Sequence, residues 1–356
     1  MTINTPTIRK LMEIAHSAPS ADNSQPWRLV WNGNHLSVGY DSERVAGKTF
    51  PPESPATLLS MGSVVEILMA VATDWGMDPQ LEINEALPSP AGNYASIHFN
   101  TIEDKLALPQ DIHPASLRHT NRLPYLKQCI PENLGPQLEP LSGAEARVIL
   151  IKDPGTIRRI ADIVQLASEV RFQTQEVHEW LGRSLRFSSR SAAKGDGMDV
   201  ATLGLPPGGR LFLRLISKWS RMRILNKFGI YKIVAAIDSA PIKAAPGLVA
   251  VIAPADAIGT FNAGRLMARS WIKLNTLGLS VHPYYVIADQ LARKRANTVP
   301  AELASMAQEV DTKSSEPFTL EAGETLHMLF RIGYTKKKPR LALRLPLDDV
   351  YRDTTP

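Results

Sequence analysis

From residue 5 to 18, apolar side chains recur at helical spacing, with Ile8, Leu11, Met12, Ile14 and Ala15 on one face. The period then changes to two. Trp27–Trp31 and Leu36–Tyr40 alternate as strands, and the Asn32-Gly33-Asn34 turn between them suits a hairpin. Residues 55 to 75 are largely apolar, interrupted by Ser60, Ser63 and Glu66. Its longest apolar run, Leu58 to Thr73, is short for a membrane span, so the stretch predicts a buried helix. Alternation returns over 94 to 102, and "LALPQDIHPAS" (106–116) reads as the connection to a second half. Beyond it the pattern predicts strands at 146–152, 247–253 and 325–334, and helices at 154–186 and 260–277. Strands and helices spread through both halves predict an α+β fold.

The two most apolar helices share a frame. Gly62 and Gly76 bracket one and Gly264 and Gly278 the other, at the same spacing of 14. Apolar residues coincide at Val64/Leu266, Val65/Met267, Met69/Trp271, Ala72/Leu274 and Trp75/Leu277. Small residues at both ends permit close helix approach or a left-handed cap. Any two core helices ending in glycine would align in this way. The strand that follows each helix favours a duplication.

Composition narrows the class only modestly. With 356 residues, 44% hydrophobic and 21% charged, the chain can form two average globular domains or one large one. Its single cysteine, Cys129, excludes an intramolecular disulfide and a multi-cysteine metal site. The first ten residues lack the apolar core of a signal peptide, so cytoplasmic residence is the expectation. A net charge of +5 is too mild to imply nucleic acid, but its distribution is uneven. Residues 200 to 237 carry seven basic side chains and no acid.

Two stretches carry candidate chemistry. In "APSADNSQPW" (18–27) a helix ends in a cluster of turn formers and Pro26 forbids its continuation. Asn23 and Gln25 each offer an amide donor and acceptor, which fits either a planar heterocycle or a capped turn with solvated amides. "RHTNR" (118–122) spaces Arg118 and Arg122 four apart. At a turn entering a helix both could converge on a phosphate; otherwise the segment is a solvated basic turn. No Gly-rich phosphate loop, metal-spaced His/Cys cluster or nucleophile elbow is present, and "LPPGG" (205–209) lacks the lysine and hydroxyl residue of a P-loop.

Together these stretches resemble the flavin-binding nitroreductase family. "APSADNSQPW" is similar to the turn that lies against the isoalloxazine, and "RHTNR" to the basic phosphate-and-ribityl segment. "LGLSVHPYY" (277–285) is similar to the helix end and loop beside the ring. "IGY" (332–334) with "LRLPLDDV" (343–350) resembles the closing strand and its terminal arginine. The motif order departs from ordinary members, which carry the basic segment first and work as dimers. Here the first half keeps the ring-side turn and the second keeps the phosphate ligands, while "EVRFQTQEVHEWLG" (169–182) stands where another "QPW" would fall. The chain thus resembles the double-length, Acg-like branch. That implies a nitroreductase-like fold of two fused halves, residues 1–112 and 113–356, forming an intramolecular pseudo-dimer with one composite site. A lid at about 187–240 would cover it.

Carried over residue by residue, the resemblance puts Pro19, Ser20, Ala21 and Asn23 at the isoalloxazine of an FMN. Arg118, His119, Thr120 and Arg122 would follow ribityl and phosphate, with Arg344 closing on phosphate and Pro283, Tyr284 and Tyr285 lining the far side of the ring. Many members carry a lysine where this chain has Ala342, which leaves a weaker grip or Arg340 as a substitute. The implied activity is hydride transfer from NAD(P)H through flavin N5 to a nitroaromatic, quinone or similar acceptor. The other reading is an FMN-storage protein whose lid occludes the ring. His282 and Tyr284 are the nearest candidates for a proton donor, or simply members of a packed aromatic loop.

In the basic segment, Leu211, Leu215, Trp219, Met222 and Leu225 recur at helical spacing, while Arg214, Lys218 and Arg221 occupy other faces. Three readings fit: a solvated face over a buried stripe, a lid over the flavin, or a helix adsorbed to an anionic membrane. Nucleic acid is not expected, because no series of stacking aromatics accompanies the charge.

Overall fold

The computed structural model describes residues 5–89, 91–101 and 112–355. The connection expected over 106–116 lies outside them as far as residue 111. The first part of the chain runs α1 (Thr5–Ala15), β1 (Trp27–Trp31), β2 (His35–Tyr40), α2 (Ser42–Val45), α3 (Pro55–Asp74), β3 (Met77–Ile83) and β4 (Asn93–Thr101). Then come α4 (Leu134–Leu138), β5 (Arg147–Ile151), α5 (Pro154–Gln173), α6 (Gln175–Ser184), β6 (Leu185–Arg186), α7 (Ser189–Ala192) and β7 (Met198–Asp199). Three helices follow, α8 (Gly209–Ile216), α9 (Trp219–Asn226) and α10 (Ile230–Lys243). The remainder is β8 (Gly247–Pro254), α11 (Ala257–Thr276), β9 (Ser280–Tyr284), α12 (Val286–Arg295), α13 (Ala304–Ser314), β10 (Glu324–Gly333) and β11 (Tyr351–Asp353). The fold is α+β.

The larger strands form two sheets, ordered β11-β1-β2-β4-β3 and β5-β8-β10-β9. Strand β8 shows why its sequence is a continuous apolar run rather than an alternating one. Leu248, Ala250 and Ile252 enter a cluster under α5, while Val249, Val251 and Ala253 enter another under α11. A strand covered on both faces needs apolar residues at every position. In the first sheet β11 pairs parallel with β1, Leu29 opposite Tyr351. Its neighbours Leu345, Leu347 and Val350 pack in the core of the first half. A division at 112/113 therefore does not separate two closed units, because the C-terminal arm returns to complete the first.

Helices α3 and α11 join the halves. They have the same length, 20 residues, in the frame that aligns Gly62 with Gly264, and each is followed by a left-handed glycine, Gly76 (φ 81°) or Gly278 (φ 78°). They meet back to back. A Cβ on Gly62 would lie 2.0 Å from the carbonyl oxygen of Phe261, and one on Gly264 would lie 2.4 Å from that of Leu59. The contact is reciprocal, since each glycine faces the residue three before the other. The Ser63 hydroxyl donates to Leu59 O (2.8 Å) and Gly264 O (2.9 Å) across the same seam. Glu66 accepts from Arg265 (3.1 Å) and Arg269 (2.7 Å). Helix α3 is, among the described residues, long and apolar enough to cross a membrane, but most of it is buried inside this protein.

Several elements differ from the sequence reading. The helix expected over 154–186 is broken at Thr174, whose backbone is extended (φ −88°, ψ 111°). The single amphipathic helix expected in the basic segment is three helices, because Lys218 is extended and Gly229 left-handed. Its predicted stripe does not exist as one face: Met222 is fully buried, whereas Leu211 is 73% exposed. Strands β3 and β9 and helices α12 and α13 are additions. Pro79 in β3 obscured the alternation, and its place in an edge strand spares the ladder a missing donor.

Gly62→Ala should destabilise the protein strongly, by roughly 1–3 kcal/mol or more, because a helix backbone must shift to admit the methyl group. Gly143→Ala, where an added carbon meets nothing within 4 Å, should change little. Urea unfolding of the two variants checks this.

Candidate functional site

The site begins at a strained turn. After α1, Asp22 (φ 52°), Asn23 (φ 58°) and Gln25 (φ 48°) all adopt left-handed backbone conformations, which side-chain-bearing residues seldom do. Hydrogen bonds hold them there. The Ser20 hydroxyl accepts from the Gln25 backbone N–H (2.9 Å). Gln25, wholly buried, donates from Nε2 to Asn23 O (3.0 Å) and Gly195 O (2.9 Å) and accepts from the Leu345 N–H (3.1 Å). Asn23 Nδ2 lies 3.0–3.1 Å from the carbonyl oxygens of Gly195, Gly197 and Leu343, and its Oδ1 accepts from Arg344 (2.6 Å). The two amides therefore read the chain's own backbone. Their assignment to a planar heterocycle is corrected on that ground, since both donors of Asn23 are already engaged.

His16 extends the clamp. Trp27 Nε1 can only donate, so His16 Nδ1 accepts it (3.2 Å), and Nε2 carries the proton given to Leu345 O (3.0 Å). Burial holds this ring neutral, lowering its pKa to about 4.

A cavity of about 500 Å³ opens beside the turn, at the junction of the two halves. Of the twelve residues singled out from the sequence, eleven line it: Pro19, Ser20, Ala21 and Asn23 from the turn; Arg118, His119, Thr120 and Arg122; Pro283 and Tyr285; and Arg344. Tyr284 does not. Strand β9 alternates, so Tyr284 points opposite to Pro283, into the core under α5, with its ring 4.5 Å from that of His282. Neither His282 nor Tyr284 lines the cavity, which removes both as proton donors in it and leaves the packed aromatic pair.

Charge in the cavity is unbalanced at one end. Arg118, from the second half, and Arg344, from the C-terminal arm, both donate to the carbonyl oxygen of Ser17, at 2.8 and 2.9 Å. The Arg118 guanidinium also lies over the Trp271 ring, 4.4 Å from its centroid, and its Nε is buried with no hydrogen-bond partner among the described residues. Burial holds the Arg118 pKa well below the usual arginine range, and the neighbouring Arg344 lowers it further. Burial brings Arg344 down to about 10. No carboxylate pairs with either among the described residues. Arg122 is also depressed by burial, with Asp22 opposing the shift. Burial raises the Asp22 carboxyl, opposed by a hydrogen bond from Ser184 (2.8 Å) and by Arg171 and Arg122. His119 is held by its backbone, its N–H donating to Asn275 (2.9 Å) and its carbonyl accepting from Trp271 (3.0 Å).

The remaining walls were not foreseen from sequence. Leu59, Met267, Trp271 and Met328 form an apolar side. Helix α6 closes the top with Val177, Trp180 and Leu181, Trp180 meeting Phe50 edge-on at 4.7 Å. The i, i+3, i+4 spacing of those three was the available signal. Of the segment 187–240 expected as a lid, only Gly197, Met198 and Thr202 line the cavity, and α8–α10 do not. Arg340 lines it too but faces Asp199 at 3.5 Å, so it is not a free substitute for a lysine at Ala342. Among the described residues, no three His, Cys, Asp or Glu side chains are placed to hold a metal ion.

Comparison with known proteins adds little that is specific. No family model matches the chain. It is 25% identical over 284 residues to an uncharacterized protein of Mycobacterium tuberculosis, MT1398, an alignment covering 78% of this chain and 38% of that protein. The chain thus spans well under half the length of that relative. Among solved structures it is similar to an FMN-bound nitroreductase from Bacteroides fragilis (9% identity, 64% of this chain and 93% of that one, TM-score 0.34). It is also similar to the FMN- and NADPH-dependent nitroreductase NfnB of Sphigopyxis sp. strain HMH (12%, 67% and 95%, TM-score 0.36). A third is an iodotyrosine deiodinase bound to FMN and 3-iodo-L-tyrosine (14%, 66% and 94%, TM-score 0.31). Overlaps this low carry no assignment by themselves.

The neutral His16 generates a pH dependence. Unfolded, it takes a proton near 6.5; folded, only near 4. Between these values the unfolded state binds more protons, so stability is full above pH 6.5 and falls as pH drops, by up to roughly 1.4 kcal/mol per pH unit. Unfolding midpoints measured across that window should decline more shallowly for His16→Gln than for the natural chain.

Proposed function

We propose that the chain is an FMN-binding flavoprotein of nitroreductase type, an oxidoreductase whose single site is shared by two fused halves. One observation carries the reading: Arg118 and Arg344 converge, with no carboxylate partner among the described residues, in a cavity that also gathers the other motifs of the sequence resemblance. A buried cation without a partner is costly unless an anion arrives to balance it. A terminal phosphate fits that requirement, and it would also give the orphaned Arg118 Nε an acceptor. A cavity of about 500 Å³ lies within the usual range for small-molecule sites, and its apolar side suits a planar ring system. The reciprocal glycine contact of α3 with α11 supports the duplication reading, because two copies related by a two-fold axis meet in this manner.

In this reading, Arg118 and Arg344 neutralise the phosphate while Arg122, His119 and Thr120 follow the ribityl chain. Pro19, Ser20 and Ala21 border the ring on one side and Pro283 and Tyr285 on the other. Asn23 acts indirectly by orienting Arg344. When bound, FMN supplies the hydride-accepting and hydride-donating chemistry, with NAD(P)H as reductant and a nitroaromatic or quinone as acceptor. The chain contributes position, charge compensation and exclusion of water. Asp22, raised by burial, is a cavity-wall carboxyl able to hold a proton. The roof formed by α6 favours a second reading, an FMN-storage protein in which Trp180 and its neighbours keep a nicotinamide from stacking.

FMN titration followed by flavin fluorescence tests the proposal. Arg118→Ala and Arg344→Ala should each weaken FMN binding by roughly ten- to hundredfold, as expected for a lost charge-assisted contact, and leave riboflavin affinity nearly unchanged. Equal affinity of the natural chain for FMN and riboflavin would overturn the phosphate assignment. Anaerobic NADH and NADPH addition then separates the two readings: bleaching marks a reductase, and persistent flavin bands mark storage.

A further inference from the structure

The three helices α8–α10 form a small unit with an unusual outside. Inside, Ile216, Met222, Val234 and Ala235 pack with Phe172 of α5. Outside, α8 presents Leu211 (73% exposed) and Leu215 one turn apart, with Phe212 beside them. Helix α10 presents Ile233 and Ile237 in the same i, i+4 relation, each more than half exposed. Phe228, at the joint between α9 and α10, is 79% exposed. Scattered exposed apolar residues are ordinary, but among the described residues most of the large ones fall within a single stretch of the sequence.

The same stretch holds the seven basic residues and no acid. The acids that flank it are already engaged, Asp199 facing Arg340 and Asp238 bound to Arg171. None of the seven, from Arg210 to Lys232, forms an ion pair among the described residues. Exposed leucine, isoleucine and phenylalanine set among unpaired cations are the pattern of an interfacial surface, in which apolar side chains enter the lipid boundary and cations meet anionic headgroups. A nucleic acid would satisfy the cations and leave the apolar side chains unused. Two copies of the chain meeting through this face would bring seven unpaired cations against seven more.

We propose that α8–α10 is a docking surface for anionic phospholipid bilayers. The surface is tied to the cavity roof. His178 Nε2, on α6, donates to Ile216 O (2.7 Å), and its ring packs on Trp219 at 5.6 Å. On the same helix, Gly182 approaches so closely that a Cβ would lie 2.4 Å from Ser217 O. The docking proposal does not rest on the flavin reading.

The test is co-sedimentation of the full chain with extruded vesicles, either pure phosphatidylcholine or phosphatidylcholine with about a third phosphatidylserine. The chain should pellet with the anionic vesicles and stay soluble with the neutral ones, and the binding should weaken markedly in high salt as the charges are screened. Replacing three cations together (Arg214→Gln, Lys218→Gln, Arg221→Gln) should reduce partitioning by roughly a hundredfold. Phe228→Ser with Leu211→Ser should reduce it at least tenfold with an unchanged melting curve, since both side chains are exposed. Absence of binding to anionic vesicles, or equal binding to neutral ones, would overturn the proposal. So would a concentration-dependent dimer on gel filtration that the Phe228→Ser, Leu211→Ser variant abolishes, because the face would then belong to a second copy.

Discussion

Two helix backbones in direct contact set the placement of everything else. Where α3 and α11 cross, Gly62 and Gly264 leave no side chain between a helix and the opposing carbonyls. Each helix is packed on its own sheet, so their separation decides how the two halves sit and how wide the seam between them opens. Leu59 and Ser60 on one helix and Met267 and Trp271 on the other reach the cavity from this crossing. The polar groups at the seam mark its register more than they stabilise it. Glu66 with Arg265 and Arg269 is partly buried, and the desolvation of such a group offsets much of its attraction.

The triad at the seam, two arginines on one carboxylate, contrasts with the cavity. The same protein that pairs its seam arginines with a carboxylate gives Arg118 and Arg344 no carboxylate among the described residues and sets both on one backbone carbonyl. Stability alone gives no reason for such an arrangement. Charged groups strongly perturbed by burial and gathered in a cleft are instead characteristic of binding sites. The C-terminal arm is what brings the two together. It joins the first sheet through β11, presents Leu343 and Leu345 to Asn23, Gln25 and His16, and so delivers Arg344 to Ser17 beside Arg118.

The turn that connects these parts explains its own composition. Positive φ at Asp22, Asn23 and Gln25 is tolerated because their side chains are tied down: Asp22 by Ser184, the two amides by backbone. A turn held by partners more than a hundred residues away forms only when the whole fold has formed. Its strain is local, and apart from Ser20 and Asn23 O within the turn itself the groups that hold it are not.

By itself the sequence determined the elements whose burial is uniform along one face or both. The apolar period was enough for α1, the first hairpin, α3, β8, α11 and β10, and the shared glycine frame marked the two helices that cross. It also marked most of the residues that gather at the cavity, because turn formers and clustered arginines are recognisable without their partners. Tertiary structure alone decided what those groups do. Asn23 and Gln25 have the same donors and acceptors whether they hold a ligand or a backbone, and only the return of residues 195–197 and 343–345 selected the backbone. Tyr284 left the cavity because strand pairing with β10 assigned its face, a choice made by register rather than composition. The basic segment broke into three helices for a similar reason. Its apolar residues had two places to go: the space over α5 admitted Met222 from the predicted stripe and Ile216 from outside it, while leaving Leu211 and Phe228 in solvent.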